Sequence, residues 1–61
     1  MGERLRSVRR AAGLSQADLG ERVGRDHKTI HRWETAVTAP SLIDLLLIAD
    51  ALGTPLADLV R

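Results

Sequence analysis

The sequence has no cysteine, no phenylalanine and no tyrosine, and only one tryptophan, one methionine and two prolines among its 61 residues. Without cysteine there is neither a disulfide framework nor a thiolate metal site, which fits a reducing cytoplasm. So few aromatics, beside 44% hydrophobic residues, point away from a sheet and toward short helices packed through Leu, Ile, Val and Ala. Long apolar runs are missing too. The longest is Leu45 to Ala49, far below the ~20 residues a spanning helix needs, and the N-terminus lacks the basic-then-apolar form of a signal peptide. A soluble cytoplasmic protein is expected. A chain of this length holds one domain, residues 1–61, that buries roughly 60% of its unfolded surface.

Net charge is also small, +1, but it is unevenly spread. Residues 1–40 carry eight Lys/Arg against five acids, a balance of +3, and residues 41–61 carry Arg61 against Asp44, Asp50 and Asp58, a balance of −2. A basic front and an acidic back are compatible with ordinary solvated surface or with an anionic partner at the front.

Punctuation divides the chain into five helices with no strand. The first runs from about Glu3 to Ala12, with Leu5, Val8 and Ala12 at helical spacing and Gly13 ending it. Ser15 with Asp18 forms a capping box for Gln16 to Val23, where Ala17, Leu19 and Val23 supply apolar contacts and Gly24 stops the helix. Asp26 caps a third helix, His27 to Glu34. Ser41 with Asp44 opens a fourth, which ends at Leu52 before Gly53. Thr54 is expected to cap a short fifth helix that has Pro55 in its first turn and reaches Leu59 or Val60.

The third helix, within "GRDHKTIHRWET", concentrates the chemistry. At about 100° per residue, His27, His31, Lys28 and Arg32 fall within about 140° of one another, and Thr29, Trp33 and Ile30 occupy the remainder. With Ile30 and Trp33 docked on the domain, the cationic face points outward. Three readings compete: solvated surface, a metal site shared by His27 and His31, and a nucleic-acid surface. Metal is disfavoured, since Lys28 stands where a zinc protease carries its glutamate, no third ligand is evident, and neighbouring cations repel the ion. The preceding helix lies only the turn Gly24 to Asp26 away, and two helices joined by a tight glycine turn, the second exposing polar groups, make a helix-turn-helix.

Residues Leu5 to Val60 resemble the Cro and phage-repressor type of helix-turn-helix domain, a family of bacterial and phage transcription regulators. The resemblance is carried by "LSQADLGERVGRDHKTIHRWE" and "PSLIDLLLIADALGTPLADLV". Gln16 opens the second helix where the family has a glutamine, Gly20 takes the small-residue position between the two helices, Gly24 is the turn glycine, and Ile30 and Trp33 match buried positions. An all-α, five-helix domain similar to that of lambda repressor is implied. The resemblance further implies base contacts from His27, Lys28 and Arg32, with His31 a further base reader; Arg32 suits a guanine held by two hydrogen bonds. It places Gln16 where the family's glutamine holds a phosphate and braces the third helix, Thr29 and His31 at the phosphate backbone, and Arg9 with Glu34 in an ion pair tying the first helix to the third.

Some positions depart from the family pattern. Arg25 replaces a commonly apolar turn residue and is therefore expected to contact a phosphate instead of plugging the core. Ala36 stands where glycine is common, and Val37 and Thr38 replace basic residues, so that loop is expected to make fewer phosphate contacts. Gly20 in place of alanine is expected to cost the second helix about 1 kcal/mol.

On the fourth helix, Leu42, Leu45, Leu46, Ala49 and Leu52 are expected to fill the core, leaving Ile43 and Leu47 exposed, either as incidental apolar surface or as an interface with a second copy, another domain or a protein partner. The function expected is sequence-specific binding of double-stranded DNA, an inverted-repeat operator read by a homodimer, as a transcription regulator and most simply a repressor. The competing functions are a protein-interaction module, or an antitoxin or DNA-binding part of a larger assembly, with a partner on the fourth helix. No cofactor, metal or membrane partner is expected. Enzyme chemistry is disfavoured: Ser7, Ser15 and Ser41 sit on helix surfaces or at caps, and neither histidine has a nucleophile and an orienting acid beside it in sequence.

Overall fold

A computed structural model describes all 61 residues. Five helices follow one another: α1 (Gly2–Ala11), α2 (Gln16–Val23), α3 (His27–Glu34), α4 (Leu42–Leu52) and α5 (Leu56–Val60). None is long and apolar enough to cross a membrane. α2 lies against α3 and α4, while α1 closes over α3 and α5. Their common core is Leu5, Leu19, Val23, Ile30, Trp33, Ile48 and Leu59.

Three helix starts follow the polar cap residues. Ser15 Oγ accepts from Asp18 N at 3.0 Å, and Ser15 N donates back to Asp18 Oδ2 at 3.0 Å. Ser41 and Asp44 repeat the exchange on α4, and Asp26 Oδ1 accepts from Thr29 N at 2.9 Å on α3. α5 differs from expectation. Thr54 makes no cap; Pro55 itself occupies the N-cap position, with extended backbone and no side-chain hydrogen bond. α1 also begins one residue earlier than its apolar spacing indicates and ends at Ala11, with Ala12 as an exposed cap residue.

The larger difference lies on α4. Leu42 and Leu46, expected inside, are 65% and 51% exposed, whereas Ile48 is fully buried beside Leu59. The inward face runs through Asp44, Leu45, Ile48, Ala49 and Leu52. Because α4 is apolar almost all round, periodicity offers two faces, and Asp44 makes its own face look like the solvated one. In the folded chain the Asp44 carboxylate is buried because it has polar partners there: Ser41 and Arg25. Ala17 on α2, also expected to pack, is exposed.

Gly20 has a reason that helix propensity does not anticipate. A Cβ at this position would run into the carbonyl oxygen of Arg25, so the approach of the turn to α2 requires a residue without one. The intrinsic cost of glycine in α2 is thus exchanged for close packing of α2 on the start of α3.

Candidate nucleic-acid interface

α3 is fixed from behind. Ile30 is 0% and Trp33 4% exposed, and burying two such side chains anchors the helix through the hydrophobic effect. On the opposite side His27, Lys28, His31 and Arg32 are all exposed, and with Gln16 of α2 they line one shallow depression. No group of three or more histidine or carboxylate side chains is placed to hold a metal ion.

Behind this depression lies a polar network. Arg9 of α1 donates from Nε to Glu34 Oε2 at 2.6 Å and from Nη2 to Glu34 Oε1 at 3.0 Å. Its Nη1 donates to the Leu14 carbonyl at 2.7 Å. Arg6 Nε reaches Glu34 Oε1 at 3.4 Å. The Glu34 side chain has no exposure and that of Arg9 only 7%. Burial by itself would raise the Glu34 carboxyl, but hydrogen bonds from Arg9, Gln16 and Arg6 outweigh it and hold the group below its ordinary range. The same hydrogen bond raises Arg9. No buried side-chain nitrogen or oxygen is left without a partner, which is the condition for an ion pair to be tolerated inside so small a domain.

Gln16 links this network to the outer face. Its Nε2 lies 3.1 Å from Glu34 Oε1 and 3.3 Å from His31 Nδ1. The resemblance implied that Gln16 braces α3; the partners through which it does so, Glu34 and His31, come from the fold.

The remaining candidates are distributed differently. Thr29 is half-buried, and its hydroxyl donates to Asp26 Oδ1 at 2.7 Å, so its side chain completes the α3 cap. Arg25 is held by Asp44: its Nη2 donates to Oδ1 at 3.1 Å and Oδ2 at 3.3 Å, and its Nε to Oδ1 at 3.2 Å. Desolvation opposes ionisation of Asp44, but Ser41 and Arg25 together lower its carboxyl. The Arg25 guanidinium thus joins the helix turn to the start of α4. Ile43 and Leu47, 70% and 44% exposed, belong to α4 and to a separate surface.

A helix docked through Ile30 and Trp33 on a preceding helix, across a glycine turn, with a cationic outer face, defines a helix-turn-helix domain. The family model described as "Helix-turn-helix domain" matches residues 1–61, and the chain belongs to that family. Over 52 residues it is 40% identical to Repressor protein C2 of Salmonella phage P22, a match covering 85% of this chain and 24% of the phage protein. The chain therefore spans about a quarter of that relative's length. The crystal structure of the P22 c2 repressor in complex with synthetic operator 9T superimposes with a TM-score of 0.93 at 36% identity, covering 100% of this chain and 92% of that one. The restriction-modification controller protein C.AhdI of Aeromonas hydrophila gives a TM-score of 0.90 at 36% identity, covering 95% and 88%.

Proposed function

We propose that this domain binds double-stranded DNA sequence-specifically and regulates transcription in the cytoplasm, most simply as a repressor that occludes a promoter. The observation that carries this reading is the rigidly backed face of α3, on which His27, Lys28, His31 and Arg32 stand exposed around one depression. A major groove admits one α-helix, and these side chains supply donors for purine edges and phosphates. In this reading Lys28 and Arg32, with His27 and His31, meet bases, while Gln16 meets a phosphate. Thr29 and Arg25, committed to Asp26 and Asp44, lend their support mainly by ordering the helix and its turn. The relatives support the reading: one is named a repressor, and its structure holds operator DNA.

Selection of bound duplexes from a random pool, followed by titration of the enriched site and a scrambled one at several salt concentrations, tests it. Enrichment of an inverted repeat is expected. Lys28→Ala and Arg32→Ala should each cost roughly tenfold or more on the enriched site and much less on the scrambled one. Weak binding equal on both duplexes and abolished by moderate salt would reduce the face to generic surface.

A second copy is part of the same proposal. Ile43 and Leu47 join Leu42 and Leu46 in an exposed apolar stripe along α4. None of these four residues carries charge, so a two-fold related copy can lie on the stripe without opposing like charges. One recognition helix reads only a few base pairs; a two-fold pair reads two half-sites about one helical turn apart.

A further inference from the structure

Glu34 dictates more than the position of Arg9. Its carboxylate is wholly buried and accepts from Arg9, Arg6 and Gln16. A carboxylate has no hydrogen to give, so only the nitrogen of the Gln16 amide can face it. The amide orientation, which in a solvated glutamine is free to invert, is therefore set by the ion pair behind it. The same nitrogen lies 3.3 Å from His31 Nδ1. An amide NH2 donates two hydrogens and accepts none, so Nδ1 must offer its lone pair. In a neutral imidazole the one ring proton then sits on Nε2.

We propose that the buried Arg9–Glu34 pair, acting through Gln16, holds His31 in the Nε2–H tautomer, so that α3 presents a fixed hydrogen-bond donor at this position to an acceptor on DNA. Gln16 is then a positioning residue for the recognition face. The chain of constraint runs from α1 (Arg9) through the end of α3 (Glu34) and the start of α2 (Gln16) to the exposed ring. It also explains why a glutamine serves at position 16: a glutamate there would repel Glu34 and accept from Nδ1 instead of donating to it. A fixed donor has a direct consequence for specificity, because guanine O6 and N7, adenine N7 and phosphate oxygens accept hydrogen bonds, whereas the amino groups of adenine and cytosine do not.

The DNA half of this inference rests on the proposed function; the tautomer half does not, and the experiments separate them. Long-range 15N–1H spectra of the free protein, at a pH where the rings are neutral, read the tautomer directly. His27, exposed on the same helix, provides an internal reference. Wild-type His31 is expected to show Nδ1 unprotonated and Nε2 protonated, further toward that extreme than His27. Gln16→Ala should return His31 to the averaged signature of His27, and Gln16→Glu should move the proton toward Nδ1. Circular dichroism checks that both variants fold. A wild-type His31 indistinguishable from His27 overturns the proposal.

The second arm uses the duplex enriched by selection. His31→Ala should cost at least about threefold less affinity in the Gln16→Ala background than in the wild type, the mark of two residues acting as one unit. Equal cost in both backgrounds overturns the link to recognition. Duplexes carrying 7-deazapurines, 2-aminopurine in place of guanine (which lacks O6) or a neutral methylphosphonate distinguish a base acceptor from a phosphate, since the cost of His31→Ala falls only where the true acceptor has been removed or weakened. A chain that binds no duplex fails the DNA reading, and the tautomer spectra, recorded without DNA, still decide the positioning role.

Discussion

Four successive helices end with the same backbone device, in which an N–H reaches back five residues to a carbonyl: Leu14 to Arg9, Arg25 to Gly20, Val37 to Arg32 and Thr54 to Ala49. The residue just before each of these donors adopts positive φ. Gly13, Gly24 and Gly53 supply it at three ends, and Ala36, at φ 62°, at the fourth. For an L-residue with a Cβ this conformation costs roughly 1–2 kcal/mol, whereas glycine adopts it freely. Glycine also loosens the unfolded chain, which takes back about 0.4–1 kcal/mol. Ala36→Gly is therefore expected to stabilise the domain by about 0.5–1 kcal/mol, raising Tm by a few degrees for a chain of this size. Thermal melts followed by circular dichroism check it, and an unchanged or lower Tm would show that the loop relieves the strain in another way. Position 36 is exposed, and the sequence already distinguished it as an alanine where relatives of this type have glycine. At Gly20 the same comparison misleads: propensity favours alanine, and the Arg25 carbonyl forbids it.

Helices α2, α3 and the start of α4 were legible in sequence because each is announced by a short polar residue whose side chain bonds the backbone three positions on, a local interaction that needs no tertiary knowledge. The outer face of α3 was legible for a similar reason: its polar and apolar residues separate cleanly around the wheel. α4 was not, since it is apolar almost all round and the arginine that lets Asp44 lie on its inward face, Arg25, is nineteen residues away. Gln16 to Glu34 is likewise a contact between helices, invisible to any local pattern. The corrected α4 face strengthens one expectation, because the exposed apolar stripe now contains Leu42 and Leu46 as well as Ile43 and Leu47. Ile43→Glu combined with Leu47→Glu alters only exposed positions, so helix content should be kept. Two carboxylates brought to a two-fold interface oppose their own copies, so self-association seen by sedimentation, and the steep binding to an inverted repeat, should be lost. Wild-type protein that remains monomeric at high concentration, on and off DNA, would sink the second-copy proposal.

At the scale of the whole molecule, only twelve of 61 residues are buried, so the margin of stability left by the hydrophobic core is thin and polar interactions weigh heavily on it. Four carboxylates are held below their ordinary values: Asp18 through its hydrogen bonds with Ser15, Asp26 through Thr29, Glu34 through Arg9, Gln16 and Arg6, and Asp44 through Ser41 and then Arg25, the last two groups against desolvation. A carboxyl group whose folded-state value is depressed contributes stability that is fully present above its unfolded value and lost as pH falls through the folded one. The ordinary values are 4.5 for glutamate and 3.8 for aspartate, so the loss should begin near pH 4.5 with Glu34 and steepen below 3.8 as the caps and the Arg25–Asp44 pair are protonated. Urea midpoints measured from pH 7 down to strongly acid solution should accordingly fall on the acid side of 4.5. Asp26→Asn separates the contributions, because asparagine keeps an oxygen to cap α3 but has no proton to bind. It should fold at neutral pH and lose less stability on acidification than the wild type. A midpoint that does not move with acid would mean that these carboxylates are equally well accommodated in the unfolded chain, and that the buried pair behind the recognition helix adds geometry without adding stability.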